Sequence, residues 1–355
     1  MKAEGKVSRL RRGASSEKRR NRRGLAKRLF YPLLAGLAGL CLGLPASAQG
    51  SRLEVNAMEY PWSAIGRVNA GGRGYCTGFL VSERHVMTAA HCLYDAVEGR
   101  WRDALELHFV AGYQRDEAII HSKVASYQRS KRASGMPNPD LSMVKDDWAL
   151  LTLKRPIGRQ AGWIGLRHMD GDLARRVRRG DGTLLQAGYS KRRRHIMTAS
   201  LKCGFSGFFA KRSGIAHGCN VMAGDSGSPL LLFVDGRLYA TGVHSLDFTT
   251  KDGAFAGAIS LGIFRNGGNA EARQSLQKTS VRWGKGHRPS GTGPARGVPL
   301  DTIDLMLRRL GYLAEPAGGA IERRAAIEAF QAGRGIAVEG KASLRLLGQL
   351  IDAAG

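Results

Sequence analysis

The sequence contains no CxxC pair and no Cys/His spacing able to wrap a zinc ion, so neither a metal nor another cofactor is expected. It is also short of negative charge, with 29 Asp and Glu against 55 Lys and Arg, a formal +26. A field of that sign favours anionic cell-envelope polymers or acidic substrates; its bland counterpart is a solvated, arginine-rich surface. Nucleic acid is not an expected partner, because no reader motif accompanies the charge. No apolar run reaches the roughly 20 residues that a bilayer span needs. From about Tyr60 to Arg265 no helical period lasts longer than a turn or so, which excludes a bundle there.

What is present begins with an export signal. A basic stretch runs to Arg28, an apolar run from Leu29 to Leu44, and then Pro45-Ala46-Ser47-Ala48-Gln49 offers small residues for cleavage after Ala48. Contact with a membrane is expected only through this segment, if it stays uncleaved. Asn21 to Lys27 resembles a twin-arginine signal, whereas disulfides argue for export unfolded. About +10 of the formal charge leaves with residues 1–48. Cys41 leaves too, and four cysteines in an exported chain imply two disulfides. Proximity suggests Cys76 with Cys92 and Cys203 with Cys219, one of three possible pairings. The expected location is secreted or periplasmic.

Within residues 49–265, short alternating apolar segments such as Leu105 to Ala111, Trp148 to Leu153 and Leu238 to His244 are separated by Gly, Asp, Asn and Pro. That spacing, with 48 glycines in the chain, predicts a mainly β sandwich or barrel. Residues 266–298 are rich in Gly, Pro, Lys and Arg and read as a linker. In 299–355 the period becomes helical, through Leu300, Ile303, Leu307 and Leu310, then Ile321, Ala325, Ile327 and Phe330, then Leu344, Leu347 and Leu350. Three short helices form a small C-terminal module.

Three islands carry chemistry. Thr88-Ala89-Ala90-His91-Cys92 presents a histidine on a loop that a Cys76–Cys92 bridge would pin, as a general base requires. Asp146-Asp147-Trp148-Ala149-Leu150-Leu151 puts a carboxylate at the head of a buried strand, where it can hold an imidazole tautomer. Gly224-Asp225-Ser226-Gly227-Ser228-Pro229 is a sharp turn that exposes a serine oxygen and aims backbone N–H groups at a developing oxyanion. Singly, each has a structural explanation. Their order, His before Asp before Ser at separations of 56 and 79 residues, does not. A GxSxG elbow is excluded, since Ser228 stands where its second glycine belongs and the order of the residues is wrong for that fold.

Together TAAHC, DWALL and GDSGSP, with a CTGFLV strand ahead of the histidine, resemble the trypsin/chymotrypsin-like family, especially its bacterial glutamyl-endopeptidase-like branch. The resemblance covers about residues 58 to 265. It implies a double β-barrel with the site between the barrels, His91 as base and acid, Asp147 rather than Asp146 as its orienter, Ser226 as nucleophile, and the Gly224 and Ser226 amides as oxyanion hole. It places Asn220 near the base of the primary substrate pocket and the strand holding His244 and Ser245 along its wall. His244 matches the histidine that glutamyl endopeptidases set against a substrate carboxylate. The family's usual activation, a new N-terminus pairing with the residue at Asp225, lacks its Ile-Val-Gly-Gly signature here; Arg52-Leu53 is a candidate cut site.

The tail resembles a three-helix peptidoglycan-binding module through Leu307, Leu310-Gly311-Tyr312, Ala326-Ile327, Phe330-Gln331 and Gly340. The expected protein is therefore a secreted serine endopeptidase acting on proteins or peptides, tethered near peptidoglycan. The alternative is a non-catalytic wall-binding protein on a protease-like scaffold. A peptidoglycan hydrolase would need a metal cluster or paired carboxylates, and neither is evident.

Overall fold

Alternation builds the first half of the body. In the strand Leu107–Ala111, Leu107, Phe109 and Ala111 are buried and the residues between them are half-buried, the period-two pattern of a sheet with one face on a core. The computed structural model describes residues 52–72, 74–137, 139–250, 253–265, 269–289, 298–315 and 319–354. The expected signal segment, with Cys41 and the expected cleavage point at Ala48, lies outside them. Six strands close into a barrel in the order Ile65–Ala70, Tyr75–Leu80, His85–Ala89, Trp148–Leu153, Ile120–Arg129 and Leu107–Ala111, the last pairing back to the first. Trp148–Leu153 is buried on both faces apart from Thr152, which explains its nearly unbroken apolar run.

The second β unit is, among the described residues, a nine-stranded sheet whose main path runs from Arg52–Glu54 through Thr198–Cys203, Thr183–Gly188, Pro229–Val234, Arg237–Thr250, Gly253–Ser260 and Gly214–His217 to Phe205–Phe209. Gly165–Leu166 adds a short parallel pairing to Arg237–Thr250. The mainly β, chymotrypsin-like architecture is thus present, with the second unit following an open path where the first is closed. Both disulfides form as the spacing suggested, Cys76–Cys92 and Cys203–Cys219. No helix among the described residues is long and apolar enough to cross a membrane.

The stretch expected to be a linker is partly built into the body. Ala270–Gln277 is a helix capped by the Asn269 side chain, and its Glu271 carboxylate accepts the Lys131 N–H. His287 stacks on Trp163 and exchanges two main-chain hydrogen bonds with it. The helices Leu300–Arg309, Ala320–Gly333 and Leu344–Ala354 also pack onto the β units. Trp62 donates its indole N–H to Thr302 Oγ1 (3.0 Å), and the Phe233 ring lies so close to Gly348 that a Cβ there would come within 1.8 Å of it. Four of the residues that suggested a wall-binding module, Leu307, Ala326, Ile327 and Phe330, are buried in the same core as the barrels. Packing explains them without a ligand. Ile321, expected on the inner face of the second helix, is instead 83% exposed.

One charged contact at this junction titrates near neutrality. Glu59 accepts the Asp301 N–H at the start of Leu300–Arg309, and burial together with the Asp301 charge pushes its carboxyl up to about 7. A carboxyl whose pKa rises on folding binds its proton more tightly in the folded protein, so stability falls as pH rises from about 4.5 through 7. Glu59→Gln should therefore raise stability at pH 8 by about 1–2 kcal/mol, discounted for the half-exposed site, and leave it unchanged at pH 4. Urea titrations of both proteins at the two pH values check this.

Candidate active site

The barrel places the first two site residues by register. His85–Ala89 and Trp148–Leu153 are antiparallel neighbours with Ala89 opposite Trp148. His91 follows one strand, on the single turn Ala90–Leu93, and Asp147 immediately precedes the other, so both emerge at the same barrel end. The Asp147 carboxylate grips His91 twice. Its Oδ1 accepts the His91 main-chain N–H (2.8 Å) and its Oδ2 lies 2.8 Å from His91 Nδ1. With Nδ1 facing a carboxylate, the neutral ring keeps its hydrogen there and leaves Nε2 with the lone pair. Both side chains are nearly buried, at 6% and 5% exposure. Asp146 turns away, accepting the Ser130 hydroxyl at 2.9 Å.

Ser245 makes a contact that sequence reasoning did not foresee. The pairing of Arg237–Thr250 with Gly253–Ser260 slips between His244 and Leu246, leaving Ser245 as the extra residue of a bulge. A bulge re-aims its side chain. Here the Ser245 hydroxyl donates to Asp147 Oδ2 at 2.5 Å, a support for the carboxylate that the expected place on a pocket wall did not announce.

Ser226 comes from the second unit, three residues before the buried strand Pro229–Val234. Two main-chain bonds fix its turn between the units: Thr77 N–H to Ser226 O (2.9 Å) and Gly227 N–H to His244 O (2.8 Å). Asp225 N–H and Ser228 N–H are likewise satisfied, by Met222 O and Asp225 O. The amides of Gly224 and Ser226 have no acceptor among the described residues. That leaves two neighbouring donors for an incoming oxygen.

Behind the turn, Asp225 is fully buried and bonded to Arg52, with Nη1 at 2.8 Å from Oδ2 and Nη2 at 3.1 Å from Oδ1. Burial pushes the Asp225 carboxyl up and the Arg52 guanidinium opposes it. Asn220, expected at the base of the primary pocket, meets the same guanidinium through its carbonyl (2.6 Å). His244 is buried beside the serine turn, and burial pulls its imidazole down to about 4, partly offset by the Asp225 charge. His217 stands edge-on to it at 6.2 Å, pulled down to about 3 by burial and by His244. Both rings are neutral at neutral pH. On the disulfide side of the turn a cavity of about 480 Å³ is lined by Arg67, Tyr75, His108, Lys191 and Arg194. Its wall joins the serine turn through Lys191 N–H to Ala223 O (2.7 Å).

Two β units that bring a carboxylate-held histidine and a glycine-flanked serine turn together define a serine-protease scaffold. Comparison with known proteins agrees: the family model described as Trypsin matches residues 50–261, and the chain belongs to that family. Serine protease 23 of Rattus norvegicus is 32% identical over 128 residues, 31% of this chain and 31% of that protein. The glutamyl endopeptidase of Bacillus licheniformis is 25% identical over 205 residues, 57% of this chain and 59% of that protein. The chain thus spans less than two thirds of the length of either relative. A solved structure described as a Glu endopeptidase in complex with MPD aligns with a TM-score of 0.48 at 17% identity, covering 64% of this chain and 95% of that one.

Sequence reasoning missed Arg52 as a partner of Asp225, His217 behind His244, and Gln186, whose amide donates to Ser228 Oγ at 2.6 Å. None of the three lies in a motif, and the ion pair joins residues 173 positions apart.

Proposed function

We propose that this protein is an exported serine endopeptidase that cleaves peptide bonds through an acyl-enzyme. The observation that carries the proposal is the double grip of Asp147 on His91, which fixes the tautomer that a general base needs. Ser226 Oγ attacks the scissile carbonyl carbon while its proton passes to His91 Nε2. The carbonyl oxygen, now negative, is received by the Gly224 and Ser226 amides. His91 then returns the proton to the leaving amine, and water repeats the sequence on the acyl-enzyme. Two disulfides support export to an oxidising compartment.

The proposed substrates are peptides with acidic residues near the scissile bond. A neutral His244 beside the serine turn can donate a hydrogen bond to a carboxylate, and the cationic cavity next to the turn favours the same charge. A serine-directed fluorophosphonate tests the core of the proposal. The purified protein should be labelled and Ser226→Ala should not, and a peptide library then reads the preference for Glu or Asp. A folded wild type that takes no label would instead be the non-catalytic protease-like binding protein.

A further inference from the structure

The Asp225 carboxylate holds the serine turn in shape. Its Oδ2 accepts the Met222 N–H at 2.8 Å, its main-chain N–H reaches Met222 O and its carbonyl accepts the Ser228 N–H. The segment is thus folded around one buried anion, and the Gly224 and Ser226 amides lie on either side of it. A fully buried carboxylate is stable as an anion only beside a cation that is itself fully hydrogen-bonded. In the family resemblance that cation is an ammonium created by cutting the chain. Here Arg52 supplies it.

Every donor direction of Arg52 is used. Nε donates to Thr198 Oγ1 (2.9 Å), Nη2 to Thr198 O (3.1 Å) and Asp225 Oδ1, and Nη1 to Gln186 Oε1 (3.0 Å), Asn220 O (2.6 Å) and Asp225 Oδ2. The side chain is 6% exposed. Its backbone is pinned as well, since Arg52–Glu54 pairs with Thr198–Cys203 in the register Arg52 opposite Ser200. One guanidinium therefore ties the first strand, the Thr198 strand, the Asn220 loop and the serine turn to a single point.

We infer that Arg52 is the built-in positioning residue of the oxyanion turn, so that the protein is assembled for catalysis without a cut at Arg52–Leu53. The inference rests on Ser226 being the nucleophile. It reverses the expectation for that bond. Cleavage there would remove the guanidinium from the chain, and the new ammonium would start at Leu53, held opposite Ala199, an arginine side chain away from the carboxylate. Cutting after Arg52 would inactivate the protein. Export cleavage after Ala48 would leave Arg52 in place.

Two measurements test this together. In the first, the fluorophosphonate-labelled wild type is examined by intact mass and N-terminal sequencing; the labelled molecules should all retain Arg52. In the second, kcat and KM are compared for Arg52→Ala and Arg52→Lys. Arg52→Ala should lose at least about 100-fold in kcat with little change in KM, as expected when oxyanion donors are displaced. Arg52→Lys, which restores the charge with fewer donors, should recover part of that loss, a rescue that a merely structural strand residue would not show. Labelled protein beginning at Leu53 or later would overturn the inference even if Arg52→Ala did not fold. An Arg52→Ala protein with unchanged kcat would overturn it as well. A wild type that takes no label would remove the nucleophile assignment, and the inference with it.

Discussion

Asp147→Asn is expected to lower kcat by about 10⁴-fold while the protein remains folded, the cost known for losing the orienting charge in a site of this type. The reason lies in which atoms Asp147 serves. Its two oxygens accept three hydrogen bonds, from the His91 main chain, the His91 ring and the Ser245 hydroxyl. An asparagine has one oxygen and one NH₂. If the oxygen faces the His91 main-chain N–H, the NH₂ faces Nδ1, and the ring must then carry its hydrogen on Nε2. A ring in that tautomer presents a donor where Ser226 needs a base. If the amide is reversed, the NH₂ opposes the His91 main-chain N–H and one buried bond is lost. The first orientation removes the base; the second keeps the tautomer but gives up the charge that stabilises the imidazolium along with that bond. The loss should therefore fall in kcat, with KM changed far less, and fluorophosphonate labelling should slow in parallel. A drop of under tenfold with a folded protein would remove Asp147 from the mechanism.

The parts of this site that sequence reveals are those compressed into short segments. TAAHC and DWALL each span the end of one barrel strand, and the antiparallel register carries them together, so His91 and Asp147 could be matched before any geometry was known. The same alternation left sandwich and barrel open, and the structure closes a barrel. The features that stayed hidden depend on long-range register. The family resemblance set the strand holding Ser245 along a pocket wall but could not show that one slipped residue turns its hydroxyl onto Asp147. Arg52 looked like a cut site because nothing in its neighbours announces Asp225. Residues 266–298 looked like linker because Gly, Arg, Lys, Pro, Ser and Thr together dominate them, although Leu276 and Val281 are buried and anchor part of that stretch to the body. The helical tail was legible as three helices, but not as docked ones. The Phe233 ring against Gly348 is a fit between two distant positions that no local pattern encodes.

Gly227→Ala should cost both stability and rate heavily. Gly227 has φ +81°, in the left-handed region where an alanine costs about 1–2 kcal/mol. The surroundings add to this. A Cβ at Gly227 would lie 2.1 Å from Thr88 Oγ1 and 2.2 Å from Thr77 O, inside the 2.8 Å hydrogen bond that joins those two atoms. Thr88 and Thr77 cannot retreat independently. Thr88 lies on the strand that leads to His91, and Thr77 N–H holds the Ser226 carbonyl. Forcing the methyl in therefore pushes the histidine side and the serine side of the site apart. Overpacking of this kind adds about 1–3 kcal/mol, so a total loss of about 2–5 kcal/mol is expected. Misplacement of reacting groups by about 1 Å costs on the order of 10²-fold in rate, which sets the accompanying fall in kcat. Gly204→Ala is the matched control, since a Cβ there meets nothing within 4 Å and its backbone lies outside the left-handed region. Denaturant midpoints and kcat for the two variants decide the matter. If Gly227→Ala matched Gly204→Ala in both, the turn would be far more compliant than its contacts indicate, and the positions of the Gly224 and Ser226 amides could not be what sets the rate.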